Sequence, residues 1–399
     1  MSTISTDISL DATRFDPEKI SEETKKINGF LETATTKGPR WHEVGVEKYR
    51  QMRETGETPL PVPVYLPEAK DAEFPARDPG RTIPVRVYAP DDGKPSKGII
   101  LHMHGGGFVL ATHKQYVSPL AYFRPLRAVI SCCTCQIQHP SPRSTHPYPL
   151  LSIPPIHSTV DEPQPLTHPH SQDATLQRYA NTCHLTAISI GYRLAPENPF
   201  PAAIHDCIDA ALHLADHGTS QFAAPLRFLI GESAGANLVA VTALHLLRAR
   251  PDLDLAGLVC PFGHFDLTLN LPSVAGFERP LVISREVLER FVEAYTPGMT
   301  VEERRNPLVS PLYEDFGIRG ERTVKLPPAL FLCGTEDPLL DDTLLMGTKW
   351  AAGGGEAVVK VWPGAPHGFT AFPGFGPATE GVRVALEFVR EKLDKAVGA

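Results

Sequence analysis

No apolar run in the chain approaches the roughly 18 to 20 residues that a membrane-crossing helix needs. The opening MSTISTDISLDATRFDPEKI carries acidic side chains where a signal peptide would have its apolar centre. These absences lead to the expectation of a soluble, cytoplasmic protein without stable membrane insertion. Excess positive charge is missing as well: 38 Lys and Arg stand against 46 Asp and Glu, a formal net charge of −8. Nucleic-acid binding would call for a basic face, so no nucleic-acid partner is expected. Cysteine is sparse, seven residues at irregular spacing, which offers no disulfide framework. Cys183, Cys207, Cys260 and Cys333 sit in or beside apolar runs and read as small buried hydrophobes. No internal repeat is found.

Hydrophobic residues make up 42% of the 399 positions, enough for a sizeable core. Short apolar runs recur: TIPVRVYA, GIILHM, TAISIGY, LRFLIG, LAGLVC, PALFLCG and AVVKVW. Several are apolar without alternation, as in strands covered on both faces. Between most of them lie helical patterns such as AAIHDCIDAALHLADHG, GANLVAVTALHLLRARP and GVRVALEFVREKLDKAV. Strand alternating with helix gives an α/β fold with a mainly parallel central sheet flanked by helices. Residues 1–80 read as N-terminal cap helices and a proline-rich linker, and 81–261 as the first part of the α/β core. Residues 262–322, with the amphipathic SREVLERFVEAYTPG, read as a mostly helical cap insertion, and 323–399 as the rest of the core.

The strongest chemical signal is FLIGESAGANLVA. A strand ends at Gly231, and Glu232, Ser233, Ala234 and Gly235 lead into a helix, so G-x-S-x-G falls on a tight turn that holds the Ser233 hydroxyl out at the sheet end. In LHMHGGGFVL a strand runs into His104 and three glycines, whose backbone N–H groups can approach a ligand oxygen closely. A phosphate cradle would continue into a Lys-Ser or Lys-Thr pair, which is absent here. A serine nucleophile needs a base, itself oriented by a third group. His367 follows a strand in VVKVWPGAPHGF, and Asp337 follows another in LFLCGTEDPLLDD, giving the chain order Ser, Asp, His. Asp341 and Asp342 compete for the acid role, but Asp337 is nearest the strand end.

The pieces HGGGF, YRLAPE followed by FPAA, GESAGANL, NPLVSPLY, DPLLDD and HGF run in order from about residue 99 to residue 370. Together they resemble the hormone-sensitive-lipase-like serine esterases of the α/β-hydrolase superfamily. That resemblance implies Ser233 as nucleophile, His367 as base and Asp337 as the acid that orients it. It implies an oxyanion hole from the N–H groups of Gly106, Gly107 and Ala234, with His104, Tyr192, Arg193 and Glu197 as structural supports. It further implies a small-molecule ester substrate and neither metal nor cofactor; the cap, the triglycine loop and the absence of a membrane-binding stretch point to esters of short to medium chain. Monomer and homodimer both stay open. Two other readings belong to different classes: a non-catalytic ligand-binding relative of the fold, against which three intact triad residues speak, and a chain impaired by the stretch at 117–172.

That stretch has eleven prolines and no glycine. Cys132, Cys133 and Cys135 with His139, His146 and His157 supply metal-ligand types, but not the paired spacing of a zinc site. A proline-rich interaction arm is a second reading, though a PxxP repeat is missing. The third joins Tyr116 to Asp173, giving the continuous helix-then-strand unit THKQYDATLQRYANTCHLTAISIGYRLAPE. Val117-Ser118 can be encoded GTA-AGT or GTG-AGT, a splice donor. Ser171-Gln172 can end in CAG, an acceptor, and Leu166-Thr167 can contain a CTGAC or CTAAC branch point. The favoured reading is therefore an in-frame translated intron, which would make the source a eukaryote.

Overall fold

The computed structural model describes residues 9–58, 63, 65–114, 172–318, 324–372 and 374–398. An eight-stranded sheet organises them, built from β1 (Lys70–Pro75), β2 (Thr82–Tyr88), β3 (Ile99–Met103), β4 (Thr186–Ile190), β5 (Leu226–Gly231), β6 (Gly257–Pro261), β7 (Ala329–Glu336) and β8 (Ala357–Pro366). The order is β1-β2-β4-β3-β5-β6-β7-β8. The first three pair antiparallel, and all neighbours from β4 to β8 are parallel.

Side chains alternate across each strand, and here both sides are apolar. Ile99, Leu101 and Met103 of β3 point into one core and Ile100 into the other; Ile188 and Ile190 of β4 oppose Ala187 in the same way. The first core is closed by helices α4 (Ala202–Phe222), α5 (Ala234–Ala249) and α7 (Leu340–Ala352). The second is closed by α3 (Gln172–Cys183) and α8 (Gly376–Val397), the latter burying Ala378, Ala385, Phe388, Val389 and Leu393. Cys183, Cys207, Cys260 and Cys333 are free and buried, as their apolar surroundings suggested.

The two stretches expected to form a cap, 1–80 and 262–322, both contain helices. Helix α1 (Glu22–Lys37) starts on the Ser21 hydroxyl, which accepts the Thr24 N–H, and buries Ile27 and Leu31. Helix α2 (Val46–Thr55) follows. Helix α6 (Arg285–Tyr295) is capped by Ser284 and buries Leu288, Phe291, Val292 and Tyr295 at helical spacing. The sheet itself begins at Lys70, inside the 1–80 stretch expected to hold only cap and linker. The edge strand KDAEFP is charged and mostly exposed, so it lacks the apolar run that revealed the others. Among the described residues no helix is long and apolar enough to cross a membrane, and no group of His, Cys, Asp or Glu could hold a metal ion. The 117–172 readings, including the Cys and His set, fall outside the described residues apart from Gln172 at the start of α3.

Candidate active site

Strand β5 delivers Ser233 at its C-terminal end, and α5 begins at the next residue. The turn is tight enough to hold Ser233 at φ +56°, a conformation costly for a side-chain-bearing residue. Its position is over-determined: the Ser233 N–H donates to the Pro261 carbonyl, and a Cβ at Gly235 would run into the Met103 carbonyl oxygen. No residue larger than glycine fits where helix and strand cross so closely.

His367 reaches the same point from the loop after β8. Its Nε2 lies 3.0 Å from Ser233 Oγ, and its Nδ1 lies 2.9 and 3.1 Å from the two Asp337 carboxylate oxygens. Asp337 is 1% exposed and also accepts the Leu339 N–H at 2.9 Å. An ionised carboxylate only accepts, so Nδ1 carries the proton and Nε2 is free to accept the serine hydroxyl's. The Phe262 ring stands edge-on to the imidazole, 5.0 Å between centroids. Asp341 and Asp342 do other work: Asp341 accepts the Ser273 N–H, and Asp342 Oδ1 accepts those of Phe265 and Asp266.

The glycine loop after β3 faces the serine. Gly107 has φ +64°, and a Cβ there would strike the Phe291 ring, so helix α6 and the loop pack in direct contact. Among the described residues, the N–H groups of Gly106, Gly107 and Ala234 have no hydrogen-bond acceptor. His104 is fully buried beside the loop. Its Nδ1–H donates to the Gly105 carbonyl at 2.8 Å, and burial pushes its pKa down to about 3, so the ring is neutral. Tyr192 stacks on that ring at 4.2 Å and donates its hydroxyl to the His104 carbonyl at 2.6 Å.

The other two expected supports lie farther out. Arg193 pairs with the buried Asp206, which Arg81 also contacts. Glu197 pairs with Arg50 of α2, whose guanidinium also donates to the carbonyls of Val109 and Ala195. Arg50 is a connection the sequence did not reveal; so is the Glu232–His102 pair beneath the site, although Glu232 sat in plain view inside the motif. The surrounding cavity has a volume of about 230 Å³ and is walled largely by residues of the 31–49 and 280–291 stretches, including Leu31, Trp41, Tyr49, Ile283 and Phe291. Trp41 and Phe291 stack with centroids 5.3 Å apart.

A family model described as alpha/beta hydrolase fold matches residues 166–371, the stretch containing Ser233, Asp337 and His367. The chain belongs to that family. Its pattern of motifs is that of the hormone-sensitive-lipase-like branch. An AB hydrolase superfamily protein of Schizosaccharomyces pombe is 33% identical over 196 residues, 46% of this chain and 55% of that protein. The chain thus spans about half of that relative's length. Carboxylesterase NlhH of Mycobacterium tuberculosis is 26% identical over 338 residues, covering 84% of this chain and 85% of the relative. A hyperthermophilic esterase from the archaeon Pyrobaculum calidifontis superposes with a TM-score of 0.67 at 24% identity, covering 95% of this chain and 99% of that one. At that identity the likeness concerns the fold. The family match begins beyond the glycine loop, at residue 166, near the end of the 117–172 stretch.

Proposed function

We propose that the protein is a serine carboxylesterase in which Ser233 is the nucleophile, His367 the general base and Asp337 the group that orients it. Ester hydrolysis is the activity consistent with its family and with carboxylesterase relatives. The observation that carries the assignment is the unbroken chain from Ser233 Oγ through the imidazole to the Asp337 carboxylate, at 3.0 and 2.9 Å. His367 takes the serine proton as Oγ attacks the ester carbonyl carbon. The developing oxyanion is received by the N–H groups of Gly106, Gly107 and Ala234, which have no acceptor among the described residues. His367 then gives its proton to the departing alkoxide, and water attacks the acyl-serine with His367 again as base, releasing the acid.

The substrate class follows from size. A cavity of about 230 Å³ is below the usual range of about 300–1,000 Å³ for small-molecule sites, which favours short- to medium-chain esters. The reading is compatible with a cytoplasmic monomer or homodimer. It is tested by running p-nitrophenyl esters from acetate to palmitate on the wild type and on Ser233→Ala. The wild type should prefer the shorter acids, and the variant should lose activity by several orders of magnitude, since a triad acts as a unit. Retention of most activity in Ser233→Ala removes the assignment, and a preference for palmitate removes the substrate class.

A further inference from the structure

Glu232 lies between Gly231 and the nucleophile, yet the mechanism above gives it no task. Its Oε1 accepts the Gly105 N–H at 2.8 Å, and its Oε2 lies 2.9 Å from His102 Nε2. His102 Nδ1 in turn lies 3.1 Å from Ser189 Oγ. Because the carboxylate accepts, Nε2 carries a proton; in a neutral ring Nδ1 then accepts from the Ser189 hydroxyl. The register accounts for the line: His102 of β3 stands opposite Ser189 on β4 and Ile230 on β5. Three neighbouring strand ends are thereby bonded side by side, ending on the first glycine of the loop. His102 is 3% exposed, and Ser189 is fully buried.

The glycine loop also lies hard against the serine turn. A Cβ on Gly105 would stand 3.0 Å from the Glu232 carbonyl oxygen and 3.4 Å from Ser233 Cβ. Three consecutive glycines have no side chains with which to hold their own backbone. Donor placement must come from neighbours, and a misplacement of about 1 Å can cost about 100-fold in rate. His104 and Tyr192 hold the loop on one side; Glu232 bonds it to the residue carrying the nucleophile.

We propose that Glu232, backed by His102 and Ser189, is a positioning residue that sets the Gly106 and Gly107 N–H groups relative to Ser233 Oγ by fixing Gly105. The proposal rests on the esterase reading. Its content is hydrogen bonding rather than charge, so glutamine can replace Glu232. The amide oxygen would still accept the Gly105 N–H. The amide N–H would donate to His102 Nε2 once the ring moves its proton to Nδ1 and donates to Ser189 Oγ.

The test compares Glu232→Ala and Glu232→Gln in the full chain, using p-nitrophenyl butyrate and a trifluoromethyl ketone whose serine adduct places an oxyanion in the same hole. For Glu232→Ala the expected result is a kcat lower by roughly 10- to 100-fold, less than complete loss of one donor. KM should stay within about threefold and the ketone should bind more weakly in parallel with kcat/KM. Glu232→Gln should retain kcat within about fivefold of the wild type. Hydrogen exchange across residues 99–111 should quicken in the alanine variant and stay near wild type in the glutamine one. Unchanged kcat and exchange in Glu232→Ala, equal damage in both variants, or a rise in KM alone would each overturn the proposal. A wild type that hydrolyses no ester would overturn the esterase reading instead, and the exchange data would still decide this one.

Discussion

Replacing Arg50 with alanine should destabilise the protein far more than replacing its ion-pair partner Glu197. The guanidinium makes two kinds of contact. Its ion pair with Glu197 is partly exposed, 26% and 46% for the two side chains, and such pairs contribute about 0–1 kcal/mol. Its other bonds go to the carbonyls of Val109 and Ala195 at 2.6 to 2.9 Å, on residues with no exposed surface. A carbonyl buried without its donor costs about 1–3 kcal/mol. Arg50→Ala orphans two, giving about 2–7 kcal/mol in all, against less than about 1 kcal/mol for Glu197→Ala. Because Val109 follows Gly107 by two residues, kcat should also fall, by roughly tenfold. Urea unfolding followed by tryptophan fluorescence, with Trp41 near the site of change, measures the first quantity, and initial rates measure the second. Adding Glu197→Ala to Arg50→Ala should cost almost nothing more. Equal losses from the two single variants would mean that the ion pair carries the contact and the carbonyl argument is wrong.

Acid should destabilise the fold through its buried histidines. Burial pushes His104 and His264 each down to about 3. The unfolded chain therefore binds protons near pH 6.5 that the folded one refuses. Stability from this source is complete above about pH 6.5 and falls by about 1.4 kcal/mol per pH unit for each histidine as the pH drops toward 3; urea midpoints that stay flat between pH 7 and 5 would contradict it. Asp342 has the opposite sign. Burial raises its carboxyl well above the usual range, so the folded state keeps a proton that the unfolded state releases, and stability is lost as pH rises through the raised value. Asp342→Asn should consequently melt higher than the wild type at pH 8.

The residues legible in the sequence share one property: each sits where a strand stops. Ser233, Asp337 and His367 follow β5, β7 and β8, and a parallel sheet gathers such ends on one edge. Chain order and flanking apolar runs are therefore what single them out as candidates. The links that hold the site together had no such signature. His102, Ser189 and Glu232 meet through the register of three strands, and register is a product of packing across the whole sheet. Arg50 reaches Val109 and Glu197 across 59 and 147 positions of chain, so no local pattern marks it. Strand β1 was hidden for a simpler reason: an antiparallel edge needs only one apolar face, and KDAEFP buries Phe74 with little else.

The fate of residues 117–172 can be argued from the residues on either side. Lys114 Nζ pairs with Asp71 at 2.5 Å, Asp71 pairs with Arg86 at 2.9 Å, and Arg86 pairs with Asp173 at 2.7 Å. Asp173 is fully buried and also accepts from Tyr88 Oη and the Leu66 N–H, each at 2.7 Å. The last described residue before the stretch and the first residue after it are thus anchored to one ion-pair chain on β1 and β2. Every member of that chain lies outside 117–172. We propose on this ground that the working enzyme joins Tyr116 to Asp173, as the codon possibilities for a donor, branch point and acceptor suggest. An insertion of about 56 residues adds only modest chain-closure entropy, so its removal should not lower stability. Helix α3 should start from the same Asp173 anchor. Sequencing the mature message across the Tyr116 and Asp173 codons decides whether the stretch is spliced out. The shortened chain should be at least as soluble and active on p-nitrophenyl butyrate as the 399-residue one. A message that retains the stretch, together with a full-length protein more active than the shortened chain, would show that 117–172 belongs to the enzyme.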